Sequence, residues 1–335
     1  MTQKNERIPD QRFVTPDAAG MSKAARELAS GQLVAFPTET VYGLGADATN
    51  EQAVASIFEA KGRPKFNPLI VHVPDIVAAR RYVDFNDNAE RLADAFWPGA
   101  LTMVLPRRTD SNLSLLVSAG LDSVAVRVPS HPIAKALLKE AGCPVAAPSA
   151  NSSGHVSPTL AEHVQHSWPD SNSTGPGVIV DGGPCQIGLE STVVEVDSDG
   201  CTLLRPGGIT SDDLEKIVGQ LAIADGSSDA PRSPGMLARH YAPATPVILN
   251  ASCPETAGAF LGFGPNMPDA TLNLSVSGSL REAAANLFAM LRQLDIGKFQ
   301  SIAISPIPED GLGRAINDRL RRAATTDEET RPRHE

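Results

Sequence analysis

A basic loop is the first feature of the chain with a clear chemical use. It reads Lys61-Gly62-Arg63-Pro64-Lys65, so its positive charges alternate with the stiffening residues Gly and Pro. Arginine supplies a fork of donors and lysine a point charge, a combination that suits a polyphosphate. The same charges at the end of a predicted helix would also complement the helix dipole. The spacing alone leaves both interpretations open.

An arginine lies inside an otherwise apolar strand. Residues 123–128 alternate between a valine face and a face that carries Ser123 and Arg127. A buried arginine needs an anionic partner, which is either a structural Asp or Glu or the carboxylate of a ligand. His72 stands on the polar side of the alternating segment 69–73 and is either a core histidine or part of the same wall.

Hydroxyl and basic groups recur where predicted strands end. Ser149 and Ser157 belong to a loop rich in hydroxyls and glycine, Ser191 begins a strand, and Arg205 precedes Pro-Gly-Gly. Each has an ordinary explanation as a turn, a strand-edge hydrogen bond or a solvated side chain. Their recurrence at strand ends predicts a single ligand pocket, because α/β proteins bind ligands there.

The common catalytic signatures are absent from the sequence. There is no GxxxxGK[ST], HExxH or GxSxG, and Gly43-Leu44-Gly45 lacks the third glycine of a dinucleotide fingerprint. The cysteines form no CxxC pair, which favours reduced thiols and predicts no metal ligands. The sequence therefore gives no support for a covalent nucleophile or a zinc site.

The elements that position these residues begin with a short apolar run, residues 33–36. It ends at Pro37 in a polar loop that contains Glu39 and Thr40 and closes on glycines. A helix with Thr49 as its N-cap is predicted next. Strands and helices then alternate, which predicts an α/β fold.

Composition narrows the class of protein. The 335 residues carry a net charge of −10, which argues against a protein that coats nucleic acid non-specifically. The amino terminus is polar, and no apolar run approaches the roughly 20 residues that span a bilayer. We therefore expect a cytoplasmic protein that does not bind membranes.

The pattern predicts five segments. Residues 1–20 are expected to be a tail and 21–220 a catalytic domain. Residues 221–245, rich in Asp, Ser, Gly and Pro, are expected to be a linker. Residues 246–325 are expected to form a small parallel α/β domain. Residues 326–335 are expected to be a second tail.

Taken together, the motifs resemble the threonylcarbamoyl-AMP synthase family, whose catalytic module is the YrdC-like domain. The matching stretches are FPTETVYGLGADA, KGRPKFNPLIVHV, FWPGALTMVL, VAVRVPSHP, APSANSSGHVSPT, GLESTVVEV and LLRPGG. SPGMLARHYAP and GLGRAINDRLRRAA resemble the linker and second domain of its longer members. The resemblance covers nearly the whole chain.

The resemblance implies a twisted mixed sheet around a concave pocket, followed by a Rossmann-like domain. It implies that L-threonine, bicarbonate and ATP, with Mg²⁺ accompanying the nucleotide, give threonylcarbamoyl-AMP and pyrophosphate. A separate transferase complex would then use the product to modify tRNA. Direct, strong nucleic-acid binding by this chain is not expected.

Matching the motifs position by position implies specific roles. The residues implied for L-threonine are Thr40, His72, Arg127, Ala147 and Ser191. Those implied for ATP are Lys61, Arg63, Asn67, Ser123, Ser149, Ser157, Arg205 and Tyr241. Lys61 and Arg63 would also stabilise charge during catalysis, and Tyr241 would fold over the nucleotide as a lid. The linker departs from many relatives, because Leu237 and Ala238 follow Met236 where those carry a lysine.

Two other functions are compatible with parts of this resemblance. A YrdC-like module could bind RNA without adenylating anything, although the net charge argues against it. A related enzyme adenylates a carbamoyl group taken from carbamoyl phosphate, but such proteins carry acylphosphatase and zinc-finger modules that this sequence does not display.

Overall fold

The computed structural model describes residues 10–169, 174–224, 240–254 and 258–325. In the first part of the chain, strands form one sheet. In chain order they are β1 (Phe13–Val14), β2 (Val34–Phe36), β3 (Gly43–Asp47), β4 (Ile70–His72), β5 (Leu101–Pro106), β6 (Ser123–Arg127), β7 (Val145–Ala146), β8 (Val178–Val180), β9 (Thr192–Val196), β10 (Cys201–Arg205) and β11 (Ala222–Ile223). Their order across the sheet is β1-β8-β2-β3-β7-β4-β6-β5-β9-β10-β11. Parallel and antiparallel pairs both occur, which confirms the mixed sheet.

Helices pack around this sheet. They are α1 (Ala18–Ala29), α2 (Glu51–Lys61), α3 (Ile76–Ala79), α4 (Asp87–Phe96), α5 (Pro132–Ala141), α6 (Ala161–Ser167) and α7 (Ser211–Val218). The main core contains apolar residues of α2 and α4 together with those of the adjoining strand faces. A second core lies between α1, α5 and the strands β2 and β8.

A smaller sheet follows in the second part of the chain. Its strands are β12 (Val247–Ile248), β13 (Ala259–Gly262), β14 (Leu272–Asn273) and β15 (Ile302–Ile304), in the order β12-β15-β13-β14. All of its pairs are parallel. Two long helices, α8 (Leu280–Ile296) and α9 (Leu312–Ala324), pack on it. The expected parallel α/β unit is therefore confirmed.

The two alternating strands of the sequence lie side by side. β4 and β6 pair in parallel, with Ile70 opposite Ala125 and His72 opposite Arg127. The valines of both strands face the main core. His72 and Arg127 therefore share the opposite face at neighbouring positions, as the alternation predicts.

The two units share a core at their junction. Val41, Val156 and Leu189 of the first unit pack in the same apolar cluster as the helices α8 and α9. Gly188 lies so close to α8 that an added Cβ would stand 2.6 Å from the backbone of Ala285. The second unit therefore packs directly behind the loops that follow β2 and precede β9.

The structure corrects two details of the amino-terminal half. Residues 1–20 are predicted as a tail, but Phe13 and Val14 pair with β8 and α1 begins at Ala18. Thr49 is predicted as the N-cap of α2, but Asn50 takes that position and accepts hydrogen bonds from the first turn. Thr49 instead donates to Asp47.

Parts of the predicted linker and the second tail cannot be compared. Two of these segments lie outside the described residues, namely 225–239 and 326–335. The first contains Leu237 and Ala238, where the sequence differs from many relatives. At the start of the predicted linker, Ala222–Ile223 adds an edge strand beside β10. Within the described ranges, no helix combines the length and apolar character needed to cross a bilayer.

Candidate active site

Arg127 stands at the end of β6 and is almost fully buried. Its guanidinium donates to the Gly99 carbonyl at 3.1 Å, to Thr40 Oγ1 at 2.8 Å and to Glu39 Oε1 at 2.5 Å. Burial acts against the charged carboxylate of Glu39, but the Arg127 charge outweighs it and the pKa of Glu39 lies below its ordinary value. The structural partner that the sequence left open is therefore Glu39.

His72 lies beside Arg127 and is equally buried. Burial, aided by the Arg127 charge, lowers the pKa of His72 to about 3. Its ring meets Phe36 edge-on, with 6.3 Å between the ring centroids. Among the described residues, Nδ1 of His72 has no hydrogen-bond partner. A neutral imidazole with an unused polar atom is suited to a ligand hydroxyl or amino group.

A second group of polar side chains follows β9 and β10. Arg205 donates to the Ser191 carbonyl at 2.9 Å and to Ser191 Oγ at 3.3 Å. Ser191 Oγ is also 2.7 Å from Thr102 Oγ1. Burial lowers the pKa of Arg205 below its ordinary value, and the Arg319 charge adds to the lowering. The hydroxyl of Ser191 is thus fixed between a threonine and a buried cation.

Arg63 belongs to the basic loop and turns inward. Its Nε and Nη2 donate to the carbonyls of Asn67 and Pro68. Burial lowers its pKa, and the nearby Arg205 charge lowers it further. The side-chain amide of Asn67 is fully buried and has no partner among the residues described. An unpaired buried amide costs free energy, so the Asn67 side chain adds no hydrogen bond to the stability of the loop.

Lys61, the last residue of α2, does not face solvent. Its Nζ donates to the carbonyls of Ser149 and Asn151, and so holds the loop after β7 from beneath. Burial lowers the pKa of Lys61 well below its ordinary value, and the Arg63 charge adds to this. Lys65 is exposed. Two of the three basic residues of the loop, Lys61 and Arg63, are therefore buried, and only Lys65 faces solvent.

Glu190, which directly precedes Ser191, is bonded to residues from both parts of the chain. Its Oε1 accepts from Ser157 Oγ at 2.5 Å, and its Oε2 accepts from Arg319 Nε at 2.9 Å. Tyr241 stacks on Phe288 of α8, with 5.5 Å between ring centroids. Tyr241 has a positive φ of 62°, which is rare for a residue with a side chain. Its buried hydroxyl has no partner among the described residues.

One cavity unites most of the predicted residues. Those that line it are Thr40, Arg63, His72, Arg127, Ala147, Ser149, Ser191, Arg205 and Tyr241. Four predicted residues are not among its lining residues. Lys61 and Ser157 lie behind Ser149 and Glu190, Asn67 lies behind Arg63, and Ser123 lies at the far end of β6 from Arg127.

The cavity is narrow in this conformation. Its volume is about 40 Å³, against roughly 300–1,000 Å³ for typical small-molecule sites. His240 and Tyr241 line it, and both are buried. Their ring centroids are 4.0 Å apart. The two side chains therefore fill space that a larger ligand would need.

Some lining or supporting residues were not predicted to bind substrate. Thr38 bridges to Thr40, with 2.7 Å between the hydroxyl oxygens, and its place two residues before Thr40 was an available signal. His240 precedes Tyr241 in the linker motif. Glu190 directly precedes Ser191, but no substrate role was predicted for it. Arg319 comes from the second unit, which sequence reasoning did not connect to the pocket.

Family models match both parts of the chain. The Sua5/YciO/YrdC family model, described as "Telomere recombination", matches residues 26–207. The model described as "Threonylcarbamoyl-AMP synthase, C-terminal domain" matches residues 209–325. Both units of the fold are thus matched, each by its own family model.

Individual relatives span nearly the full length. The threonylcarbamoyl-AMP synthase of Bacillus subtilis is 44% identical over 325 residues, covering 91% of this chain and 92% of the relative. That of Pyrococcus abyssi is 41% identical, covering 90% and 93%. The crystal structure of P. abyssi Sua5 complexed with L-threonine superposes with a TM-score of 0.85 and 37% identity, covering 93% of this chain and 97% of that one. The chain therefore belongs to the threonylcarbamoyl-AMP synthase family, in its two-domain form.

Proposed function

We propose that this chain is an L-threonylcarbamoyladenylate synthase, which converts L-threonine, bicarbonate and ATP into threonylcarbamoyl-AMP and pyrophosphate. The observation that carries the proposal is the division of one buried cavity into two polar walls. One wall has Arg127 with a neutral His72, and the other has Arg63 and Arg205. An amino acid and a polyphosphate require such different surroundings.

The first wall would hold L-threonine. The guanidinium of Arg127 has more N–H donors than its three hydrogen bonds use, so it can also bind the substrate carboxylate. Thr40, His72 and Ser191 offer a hydroxyl, a ring nitrogen and a second hydroxyl to the amino and hydroxyl groups. Ala147, whose N–H already donates to the Ile70 carbonyl, would contribute its own carbonyl.

The second wall would hold ATP. Arg63 lies close enough to Arg205 for the Arg205 charge to lower its pKa, and no carboxylate bonds directly to Arg63 in the described part of the chain. A triphosphate would supply the missing negative charge. Ser149, positioned by Lys61, would add a hydroxyl donor at one edge. Ser157 already donates its hydroxyl hydrogen to Glu190, so it would support the cavity wall. Asn67, which lies behind Arg63, would hold the Arg63 guanidinium through its backbone carbonyl.

The chemistry would need orientation and charge neutralisation rather than a covalent nucleophile. The amino group of threonine attacks bicarbonate, water leaves, and a carbamate forms. A carbamate oxygen then attacks the α-phosphorus of ATP, and the bond to the β-phosphate oxygen breaks to release pyrophosphate. Arg63 would balance the charge that develops on the phosphoryl oxygens. Arg127 would keep the amino group in line with the nucleotide.

Binding of ATP would require His240 and Tyr241 to move from their present positions. The unusual φ of Tyr241 and its unpaired buried hydroxyl both make this conformation costly. A polyphosphate that replaces the hydroxyl among the arginines would lower that cost. We therefore retain Tyr241 as the proposed lid over the nucleotide.

Mg²⁺ would arrive with ATP and neutralise charge on its phosphates. The carboxylates of the cavity do not form a metal cage, because Glu39 and Glu190 are already bonded to arginines. Among the described residues no cluster of His, Cys, Asp and Glu could hold a metal ion by itself. The nucleotide and water would thus supply most ligands, as is usual for Mg²⁺. The adenylate would pass to a separate transferase that modifies tRNA.

The proposal is tested by measuring pyrophosphate release from the full-length protein with ATP, bicarbonate and L-threonine, omitting each in turn. We expect release only when all three are present. Release without threonine would indicate a plain ATP pyrophosphatase. No release under any combination, together with salt-sensitive RNA binding, would favour the RNA-binding alternative.

A further inference from the structure

Arg319 is a fully buried cation that the second unit places against the cavity wall. It lies on α9 with a side-chain exposure of 0%, and its Nε is 2.9 Å from Glu190 Oε2. Its Nη1 donates to Asp318 at 2.6 Å. Glu190 lines the cavity, whereas Arg319 lies directly behind it.

The carboxylate of Glu190 is fixed from two sides. Ser157 of the first unit donates to one oxygen and Arg319 of the second unit to the other. The hydrogen bond between Ser157 and Glu190 joins two loops of the first unit, and Arg319 holds the carboxylate that accepts this bond. Arg292 of α8 reinforces this by donating to the carbonyls of Val156 and Ser157.

Arg319 also contacts the residue that fills the nucleotide side of the cavity. Its Cζ is 5.1 Å from the centroid of the Tyr241 ring, a cation–π distance. Tyr241 is stacked on Phe288 from another direction. The ring of Tyr241 thus has its position defined by side chains of both long helices of the second unit.

Stability alone does not explain a charge at this position. Nη2 of Arg319 is buried and, among the described residues, has no hydrogen-bond partner. Replacing a buried ion pair by apolar residues is often neutral or stabilising, so an incompletely bonded arginine is a poor choice for packing. α9 places Ile316, Leu320 and Ala323 on the same buried side, where an apolar residue would suffice.

We propose that Arg319 is a positioning residue for ATP, which acts through the Glu190 carboxylate and the Tyr241 ring. This inference deepens the proposed function and rests on it. The second domain would then form part of the active site and would not be an independent module. Arg127, Glu39 and Thr40, which would hold the carboxylate end of threonine, form a separate cluster, so threonine binding should depend on Arg319 far less than ATP binding does.

The test compares Arg319→Lys and Arg319→Met in the full-length protein. Both should raise the KM and the equilibrium dissociation constant for ATP by at least about tenfold, since a buried charge pair loses its geometry or a partner. The KM for threonine should change by less than about twofold, because substrates in separate subsites respond independently. Arg321→Met is the matched control, because Arg321 lies on the same helix and is 57% exposed.

A double-mutant cycle with Glu190→Gln separates positioning from packing. If Arg319 acts in part through Glu190, Arg319→Met should weaken ATP binding less in the Glu190→Gln background than in the wild type. The double variant leaves no isolated buried charge at this pair, so it remains informative should Arg319→Met fold poorly.

Three results would overturn the proposal. They are unchanged ATP binding with only a lower melting temperature, equal losses for ATP and threonine, and fully additive effects in the cycle. An inactive wild-type protein would instead count against the proposed function. Equilibrium ATP binding across the variants would still test Arg319 in that case.

Discussion

Arg127 and Glu39 form a buried ion pair, with 2.5 Å between Nη2 and Oε1 and about 4% exposure for each side chain. The pair joins the end of β6 to the loop after β2. The pair places the Arg127 guanidinium in the cavity, and the Glu39 carboxylate balances its positive charge. Since that guanidinium still has donors to offer, we propose that it also binds the carboxylate of the substrate.

Arg127→Ala should raise the KM for L-threonine with little change in the KM for ATP. Loss of a charge-assisted hydrogen bond costs roughly 1.5–3 kcal/mol, or about 10- to 100-fold in KM. Steady-state kinetics with each substrate varied in turn would measure it. Arg108→Ala is the control, because Arg108 forms exposed ion pairs away from the cavity. Equal losses for both substrates would contradict the assignment.

Arg63→Ala should lower kcat, because the transition state would lose a preorganised cation. Removal of one such donor typically costs about 2–4 kcal/mol. Lys61→Ala should mainly reduce stability, since the Ser149 and Asn151 carbonyls lose their donor, and should lower kcat only indirectly by displacing Ser149. Rapid-quench turnover and thermal unfolding would measure the two effects. Lys65→Ala serves as the exposed control from the same loop, and an equal fall in kcat in all three variants would contradict a specific role of Arg63 in the transition state.

His72 should make stability depend on pH in acid. Its pKa is about 3 in the folded protein and ordinarily 6.5, so only the unfolded chain takes up the proton between these values. Stability is therefore unaffected by this group above pH 6.5 and falls as the pH decreases below it, by up to about 1.4 kcal/mol per pH unit.

The measurement compares the wild type with His72→Gln by chemical unfolding at several pH values. The difference in unfolding free energy should be constant above pH 6.5 and should shift against the wild type at lower pH. A difference that stays constant down to about pH 4 would mean that His72 titrates normally in the folded state.

Gly188→Ala should loosen the junction of the two units. The new Cβ would lie 2.6 Å from the Ala285 backbone, and Gly188 has a φ of +73°. Overpacking typically costs about 1–3 kcal/mol beyond the strain of the left-handed conformation. Gly142→Ala is the matched control, with a φ of +67° and no atom within 4 Å of the added Cβ.

Calorimetry and small-angle scattering would read out this change. We expect a lower unfolding temperature for Gly188→Ala than for Gly142→Ala, and a larger radius of gyration only for Gly188→Ala. Equal behaviour of the two variants would show that backbone strain, and not contact with α8, accounts for the loss.

The sequence predicts which side chains share a face of a strand. It does not predict which distant residues those side chains contact. The alternation at 69–73 and 123–128 gave the correct orientation of His72 and Arg127, because side chains alternate along any strand. Glu39 is 88 positions away from Arg127, and only the sheet topology brings them together. The burial of Lys61 likewise depends on how the loop after β7 crosses the end of α2.

The sequence pattern also does not show which of two neighbouring residues caps a helix. Thr49 and Asn50 are both good N-caps, and backbone geometry selects Asn50. For Arg319 a signal did exist. It occupies the apolar side of an amphipathic helix with Ile316, Leu320 and Ala323, where a charged residue indicates a partner in another element.

The most direct test of the central claim is the identity of the product made from isotopically labelled bicarbonate and labelled L-threonine with ATP. Mass spectrometry of a quenched single turnover should reveal an adenylate that carries both labels, together with pyrophosphate. An adenylate without the bicarbonate carbon would contradict the account, because it would mean that the cavity activates threonine itself and forms no carbamate. ADP in place of pyrophosphate and an adenylate would contradict it equally, since attack would then occur at the γ-phosphate.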